Sequence, residues 1–334
     1  MMASPDPLSP DLEPLFDEAT RDTIRRFEAT GSPVITDGEQ RKYHNFWTYP
    51  VEGLANTTSD GFMIPFSSGH VRRMPRLTAG PFRYRAYADH YLRKALPHAH
   101  RPLKQAVIAP SALSLLYPPA GIANLPREQF IANLLDEHER EVRACLELGA
   151  HVVQLDFTEG PLAAKLDPTG ELLTSFVELN NLGLARFSPK ERRRIGIHTC
   201  PGSDFDSTHR GDVDYAELLP SLLQLNVGNF YVALAGERDR VRVLKILRAH
   251  LRPHQRIFVG VISPIDPHIE TPSEVCERVL EAARYLPIEQ LGTTDDCGYA
   301  PFCDDTSTTR DQAFAKIAAR VQGTALASER LGVI

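Results

Sequence analysis

The sequence is sparing with cysteine: five among 334 residues, at positions 145, 200, 276, 297 and 303. An odd, widely spaced set does not make a disulfide framework, so reduced thiols are expected, with metal binding as their notable use. No run nears the roughly 20 apolar residues that span a bilayer. The opening stretch, MMASPDPLSPDLEPLFDEAT, lacks the basic and apolar regions of a signal peptide. A cytoplasmic protein without a membrane partner is expected. Positive charge is not in excess: 37 Lys+Arg stand against 43 Asp+Glu, a formal charge of −6. That removes the dominant basic footprint of a nucleic-acid binder. Tandem repeats, low-complexity linkers and a GxGxxG or Walker loop are all missing. What remains, 42% hydrophobic and 24% charged residues, is a globular composition.

Several short apolar, β-branched runs are present: 32–39, 101–110, 150–157, 193–200, 228–235, 255–262 and 289–295. Most are continuously apolar rather than alternating, as in strands covered on both faces. Helix-like segments lie between them. Residues 125–149, 214–225, 237–251 and 271–286 carry apolar residues at helical spacing, and 308–331 forms the last helix. The segment from Thr271 opens Thr-Pro-Ser-Glu, a helix start with Pro in the first turn. Parallel βα units in this number predict an α/β protein, a single-domain (β/α)8 TIM barrel over 31–334. Residues 1–30 form a leader and an amphipathic helix ahead of it. An eighth strand is expected near 61–66 or 82–87.

In such a barrel the active site lies at the C-terminal ends of the strands. Those ends carry Asp37 and Glu39, Asp156 and Glu159, His198 and Cys200, Glu237, Ser263 and Asp266, and Asp295, Asp296 and Cys297. His198 and Cys200 are two apart on an extended segment, so both point to one side. A His-x-Cys pair alone is more often a pair of core residues. Cys297, at an equivalent strand end, turns the pair toward a metal site. Zinc prefers tetrahedral N and S ligands, and Cys297 and Glu237 are the candidates to complete the set. Cys145 and Cys276 sit in amphipathic helices as core residues. Asp204, Asp206, His209 and Asp212, in the loop after Cys200, are expected to order that loop above the site.

The segments HTC (198–200), DDCG (295–298) and TDGE (36–39) resemble the catalytic barrel of the cobalamin-independent methionine synthases, which share a superfamily with uroporphyrinogen decarboxylase. The resemblance runs from about Val34 to about Leu331 and is strongest from Ile195 to Gly298. It implies zinc held by His198, Cys200, Cys297 and Glu237, the last after a two-residue shift that brings it to the position aligned with Ala235. It implies Glu39 and Asp156 as the residues that hold the amino group of homocysteine. The family's Gly-Ser segment for the amino-acid carboxylate is not found here. Its proton-donor loop reads VISPIDPHIETPSE (261–274), which leaves Asp266 and His268 as the candidate acid. The family's additional N-terminal barrel, which helps bind the folate, is also not found.

The resemblance implies a methyltransferase acting on a homocysteine-like thiol. The methyl donor is methyltetrahydrofolate or a corrinoid, with room for a donor-carrier protein. Two alternatives stand beside this reading. One is another zinc-dependent thiol alkylation of the epoxyalkane:coenzyme M transferase kind, which needs less of Glu39 and Asp156. The other is a uroporphyrinogen decarboxylase-like lyase, for which the basic segment 70–85 would supply carboxylate contacts.

Overall fold

The computed structural model describes residues 10–42, 45–65, 71–201 and 213–333. Six strands form one parallel sheet: β1 (Lys104–Ile108), β2 (Val152–Asp156), β3 (Ile195–Thr199), β4 (Asn229–Val232), β5 (Arg256–Ile262) and β6 (Leu291–Asp295). They are ordered in the sheet as in the chain. The helices of eight residues or more are α1 (Glu13–Ala29), α2 (Ala88–Ala95), α3 (Arg127–Glu147), α4 (Glu171–Leu184), α5 (Tyr215–Leu222), α6 (Arg240–His250), α7 (Pro272–Ala283) and α8 (Arg310–Leu331), with shorter ones at Pro110–Ser114, Gly160–Leu166 and Pro189–Arg192. Among the described residues, no helix is long and apolar enough to cross a membrane.

Local chemistry explains the boundaries. Thr271 caps α7 through a reciprocal pair with Glu274, and Pro272 occupies the first helical position. That arrangement satisfies two orphan N–H groups and pre-sets the backbone angle. Asp214, Asp239 and Thr309 cap α5, α6 and α8 with their side chains. The strands are apolar because helices cover their outer faces. Val107, Val153, Leu155, Ile195, Ile197, Ile257 and Val259 are all buried, in one cluster that runs from Ile24 to Ala327.

The first expected strand, 32–39, is reduced to a single parallel bridge between Ile35 and Leu103. Ile35 donates to the Pro102 carbonyl at 3.0 Å, and Lys104 donates back to Ile35 at 2.8 Å. The expected eighth strand does not join the parallel sheet. Met63–Pro65 pairs antiparallel with Val71–Arg73 instead, and Thr57–Thr58 pairs with Arg76–Leu77. Residues 82–87 hold no strand. These are hairpin fragments of two or three residues on a long excursion between Ile35 and β1.

The sheet is nevertheless strongly curled. In a flat sheet β3 and β6 would lie three strand spacings apart, about 14 Å. Yet Cys297, just past β6, brings its sulfur to 3.5 Å from the His198 imidazole on β3. Lys104 on β1 likewise reaches across to Tyr231 on β4, its ammonium 4.1 Å from the ring centroid. Around the outside, α8 packs on α1. Arg26 pairs with Asp311 at 2.6 Å, Arg310 with Asp22 at 3.1 Å, and Phe27 meets Phe314 edge-on. Among the described residues, β6 pairs only with β5, so the sheet is an arc of six strands extended by the Ile35 bridge.

Candidate active site

His198 and Cys200 end β3 and the turn after it, and Cys297 follows β6. The sequence brings 198 and 297 together only because the sheet curls. One ligand atom from each of the three residues lies within 4.8 Å of the others. Cys200 is buried, and Cys297 half-buried. Tetrahedral zinc, with ligand bonds of about 2.1 Å to nitrogen and about 2.3 Å to sulfur, sets neighbouring donors about 3.6 Å apart. The 3.5 Å between Cys297 Sγ and His198 Nε2 matches that edge. One imidazole and two thiols also form the donor set that soft, tetrahedral sites use. The residues therefore fit the metal that the sequence calls for. Burial works against charge on His198, but Cys200 and Asp156 outweigh it and raise the imidazole pKa.

Two side chains lock these strand ends. Tyr215 at the start of α5 donates its hydroxyl to the Thr199 carbonyl and shares a 2.9 Å hydrogen bond with the Thr199 hydroxyl. Asp296 was noted in the sequence only as a polar strand end. In the structure it is 1% exposed and accepts three backbone N–H groups, from Leu234, Ala235 and Gly236, at 2.8–2.9 Å. It thereby ties the loop after β4 to the residue preceding Cys297. Gly260 leaves the room, since a Cβ there would stand 1.7 Å from Asp296 Oδ1. Burial holds the Asp296 carboxyl up, at about 6.

Glu237 lies on that same loop, outside the three-residue cluster. Burial, then Asp296 and Asp214, push its carboxyl up to about 7. Tyr215, at the start of α5, interacts electrostatically with both Cys200 and Glu237.

Glu39 and Asp156 meet across the inner face. Glu39 holds a left-handed backbone angle (φ 55°) directly after Gly38 (φ 68°), in a turn that the Asp37 carboxylate closes by accepting the Glu39 N–H at 2.9 Å. Lys42, fully buried in its side chain, pairs with Glu39 and donates to the Ala106 carbonyl at 3.1 Å. Asp156 is buried and accepts from Gln154 at 2.8 Å. Burial and then the Glu39 charge raise its carboxyl to about 6, while Lys42 and His198 oppose the rise. Glu159 takes no part in this turn. It accepts from Ser111, which is in turn held by Asn180, and burial raises its carboxyl to about 8.

Asp266 and His268 are placed differently. Both are exposed. Asp266 accepts the His268 N–H at 2.9 Å, and the His268 ring meets Glu274 of the α7 cap at 3.1 Å. The His268 carbonyl accepts from Lys316 of α8. Asp204, Asp206, His209 and Asp212 lie outside the described residues. Four of the five arginines of the basic segment 70–85 are committed elsewhere: Arg72 to Asp304, Arg76 to Asp60, Arg83 to Glu137, and Arg85 to the Glu52 carbonyl.

The sequence alone does not single out Lys42, Lys104 and Gln154, and it offers Asp296 only as a polar strand end. A lysine and a glutamine inside otherwise apolar strands were a visible signal, as was an acid next to Cys297.

No family model matches the chain. Over 203 residues it is 26% identical to YxjH of Bacillus subtilis, an uncharacterized protein. That stretch is 57% of this chain and 52% of YxjH, so the match spans about half of that relative. Over 323 residues, 96% of this chain and 85% of the relative, it is 23% identical to a methionine synthase of Sulfurisphaera tokodaii. Its fold matches a B12-independent methionine synthase from Shewanella sp. W3-18-1, solved in complex with selenomethionine, with a TM-score of 0.72 at 16% identity over 98% of this chain and 91% of that one. The resemblance to methionine synthases therefore holds in both sequence and fold.

Proposed function

We propose that this chain is a zinc-dependent methyltransferase that moves a methyl group to the sulfur of homocysteine. The observation that carries the reading is the convergence of His198, Cys200 and Cys297, donors drawn from two strand ends about 100 residues apart, within 4.8 Å. The curled sheet is read as the wall of a (β/α)8 barrel, and the reduced cysteines go with a cytoplasmic setting. A zinc ion at this site supplies one thing: it lowers the pKa of a thiol that joins it, so that the sulfur is nucleophilic at neutral pH.

The chain's own residues do the rest. His198, Cys200 and Cys297 would hold the ion, and Glu237, on the loop after β4, would be the further protein ligand. Glu39 and Asp156 bind the substrate ammonium, and Asp156 already senses both Glu39 and His198. That acidic pair beside the sulfur cluster favours an amino-acid thiol over a coenzyme M-type substrate. The sulfur cluster and the paired arginines of 72–85 weigh against a decarboxylase. Delivery of a proton to the leaving group is assigned to Asp266 or His268. Methyltetrahydrofolate or a methylated corrinoid is the donor, the latter with a carrier protein.

Metal content of the purified protein is the first test. About one equivalent of zinc, lost in Cys297→Ser, together with homocysteine methylation from either donor, supports the proposal. A folded protein that holds no zinc after growth and assay in zinc-replete medium would overturn it.

A further inference from the structure

The inner face of the sheet below the sulfur cluster is not packed shut. The outward-facing strand residues are buried, but inward-facing Lys104, Ala106, Gln154, His198 and Phe258 are each partly exposed. In a filled barrel those positions form closed layers of apolar side chains. Here the inward-facing residues from His198 down to Lys104 keep part of their surface exposed.

The floor of this space is built in detail. Tyr231 and Phe258 stack with centroids 4.8 Å apart. Gly196 and Gly292 make room for them, since a Cβ would stand 2.7 Å from the Tyr231 ring and 2.4 Å from the Phe258 ring respectively. The Lys104 ammonium sits 4.1 Å from the Tyr231 centroid and donates to Gln154 Oε1 at 2.7 Å. The Gln154 amide nitrogen donates on to Asp156. Thus Lys104 meets an amide oxygen and an aromatic face, and of its three donor hydrogens this geometry engages one or two.

From this geometry we propose that Lys104 is the subsite for the substrate's carboxylate, which makes the preferred acceptor a thiol that carries both an ammonium and a carboxylate. The inference rests on the thiol reading above and deepens it. The charges around the space are complementary to a zwitterion. Glu39 and Asp156 offer two carboxylates for the ammonium, the first already paired with Lys42. Lys104, which acts electrostatically on both Asp156 and His198, offers the positive one. Burial lowers the Lys104 pKa to about 8, so the side chain stays mostly charged at neutral pH. A partly desolvated ammonium binds a carboxylate more strongly than an exposed one does.

The test is calorimetric binding to the zinc-loaded protein of two thiols, L-homocysteine and its decarboxylated counterpart 3-aminopropane-1-thiol. Wild type is expected to bind homocysteine more tightly. Lys104→Met is expected to weaken homocysteine roughly 10- to 100-fold, the effect of losing a hydrogen bond to a charged group, and to leave the aminothiol unchanged. Lys104→Arg, which keeps the charge, is expected to retain the preference. The proposal is overturned if wild type binds both thiols equally, or if Lys104→Met weakens both by one factor or neither. Should Lys104→Met not fold, the wild-type preference and its retention in Lys104→Arg decide the matter. If zinc-loaded wild type binds neither thiol, the thiol reading itself falls and the subsite falls with it.

Discussion

Asp296 illustrates how much a single carboxylate can organise. Three backbone N–H groups converge on it from the loop after β4, and no water-facing surface is left to replace it. Asp296→Ala strands all three donors, each worth about 1–3 kcal/mol when buried and unpaired. A large fall in the urea midpoint is expected, together with faster zinc loss to a competing chelator. Asp296→Asn keeps an acceptor oxygen and should fall in between. Glu159 gives a pH signature. Burial raises its carboxyl from an ordinary 4.5 to about 8. Between those values the folded state holds a proton that the unfolded state has lost, so folding stability declines as pH rises across that window. Glu159→Gln removes the decline: wild type should lose more stability than the variant between pH 5 and pH 8 in paired urea melts. His198, Cys200 and Cys297 were legible in the sequence, because side chains two apart on a strand share a face and strand ends share a rim. Asp296 and Lys104 were not, because their partners arrive from other strands and a single sequence records no such crossing.

At the level of elements, the helices were the most legible part. The expected helices 125–149, 237–251, 271–286 and 308–331 correspond to α3, α6, α7 and α8, shortened by one to three residues at most ends. Their caps and apolar spacing are local properties, readable without knowing what they pack against. The region 45–100 was opaque for the opposite reason. Its strands are two or three residues long, too short to show a period, and arginine–carboxylate pairs and aromatic contacts hold it in place. The joint between the α7 approach and α8 depends on one buried ion pair. Lys316 and Glu270 are 2.7 Å apart, with side chains 0% and 2% exposed, and Glu270 also accepts the Ser263 N–H at 2.9 Å. Removing Lys316 leaves Glu270 with Arg278, 3.4 Å away, as its remaining cation. Lys316→Met should therefore cost less than the roughly 3–5 kcal/mol of a fully stranded buried charge, read as a lower urea midpoint. Arg330→Met, at the exposed Glu277 pair on the same helix, should change it little.

For the whole molecule, curvature is the property that joins fold to site. The chain supplies parallel strands in sequential order, and the sheet's curl turns a separation of about 14 Å into contact between β3 and the residue after β6. The βα alternation announced the parallel sheet, but the first strand shrank to a bridge at Ile35, and the excursion that follows it added no strand to the sheet. The proposed ion, gripped by His198, Cys200 and Cys297, would act as a clasp across that curl. It would bind the folded arrangement and not the extended chain, and so stabilise the curled state by mass action. Chelation of the zinc-loaded protein should therefore lower the melting temperature, and re-addition of zinc should restore it. The loss should also be local. Amide hydrogen exchange is expected to rise in β6, which is half-exposed along its whole length and, among the described residues, paired on one edge only, and at the end of β3. The far end of the β1–β2 pairing, where Lys104 meets Val152, should stay protected. Exchange that rises nowhere would show that the sheet keeps its curl without the ion and that the three donors merely happen to lie side by side, and an even rise over all six strands would overturn the local clasp.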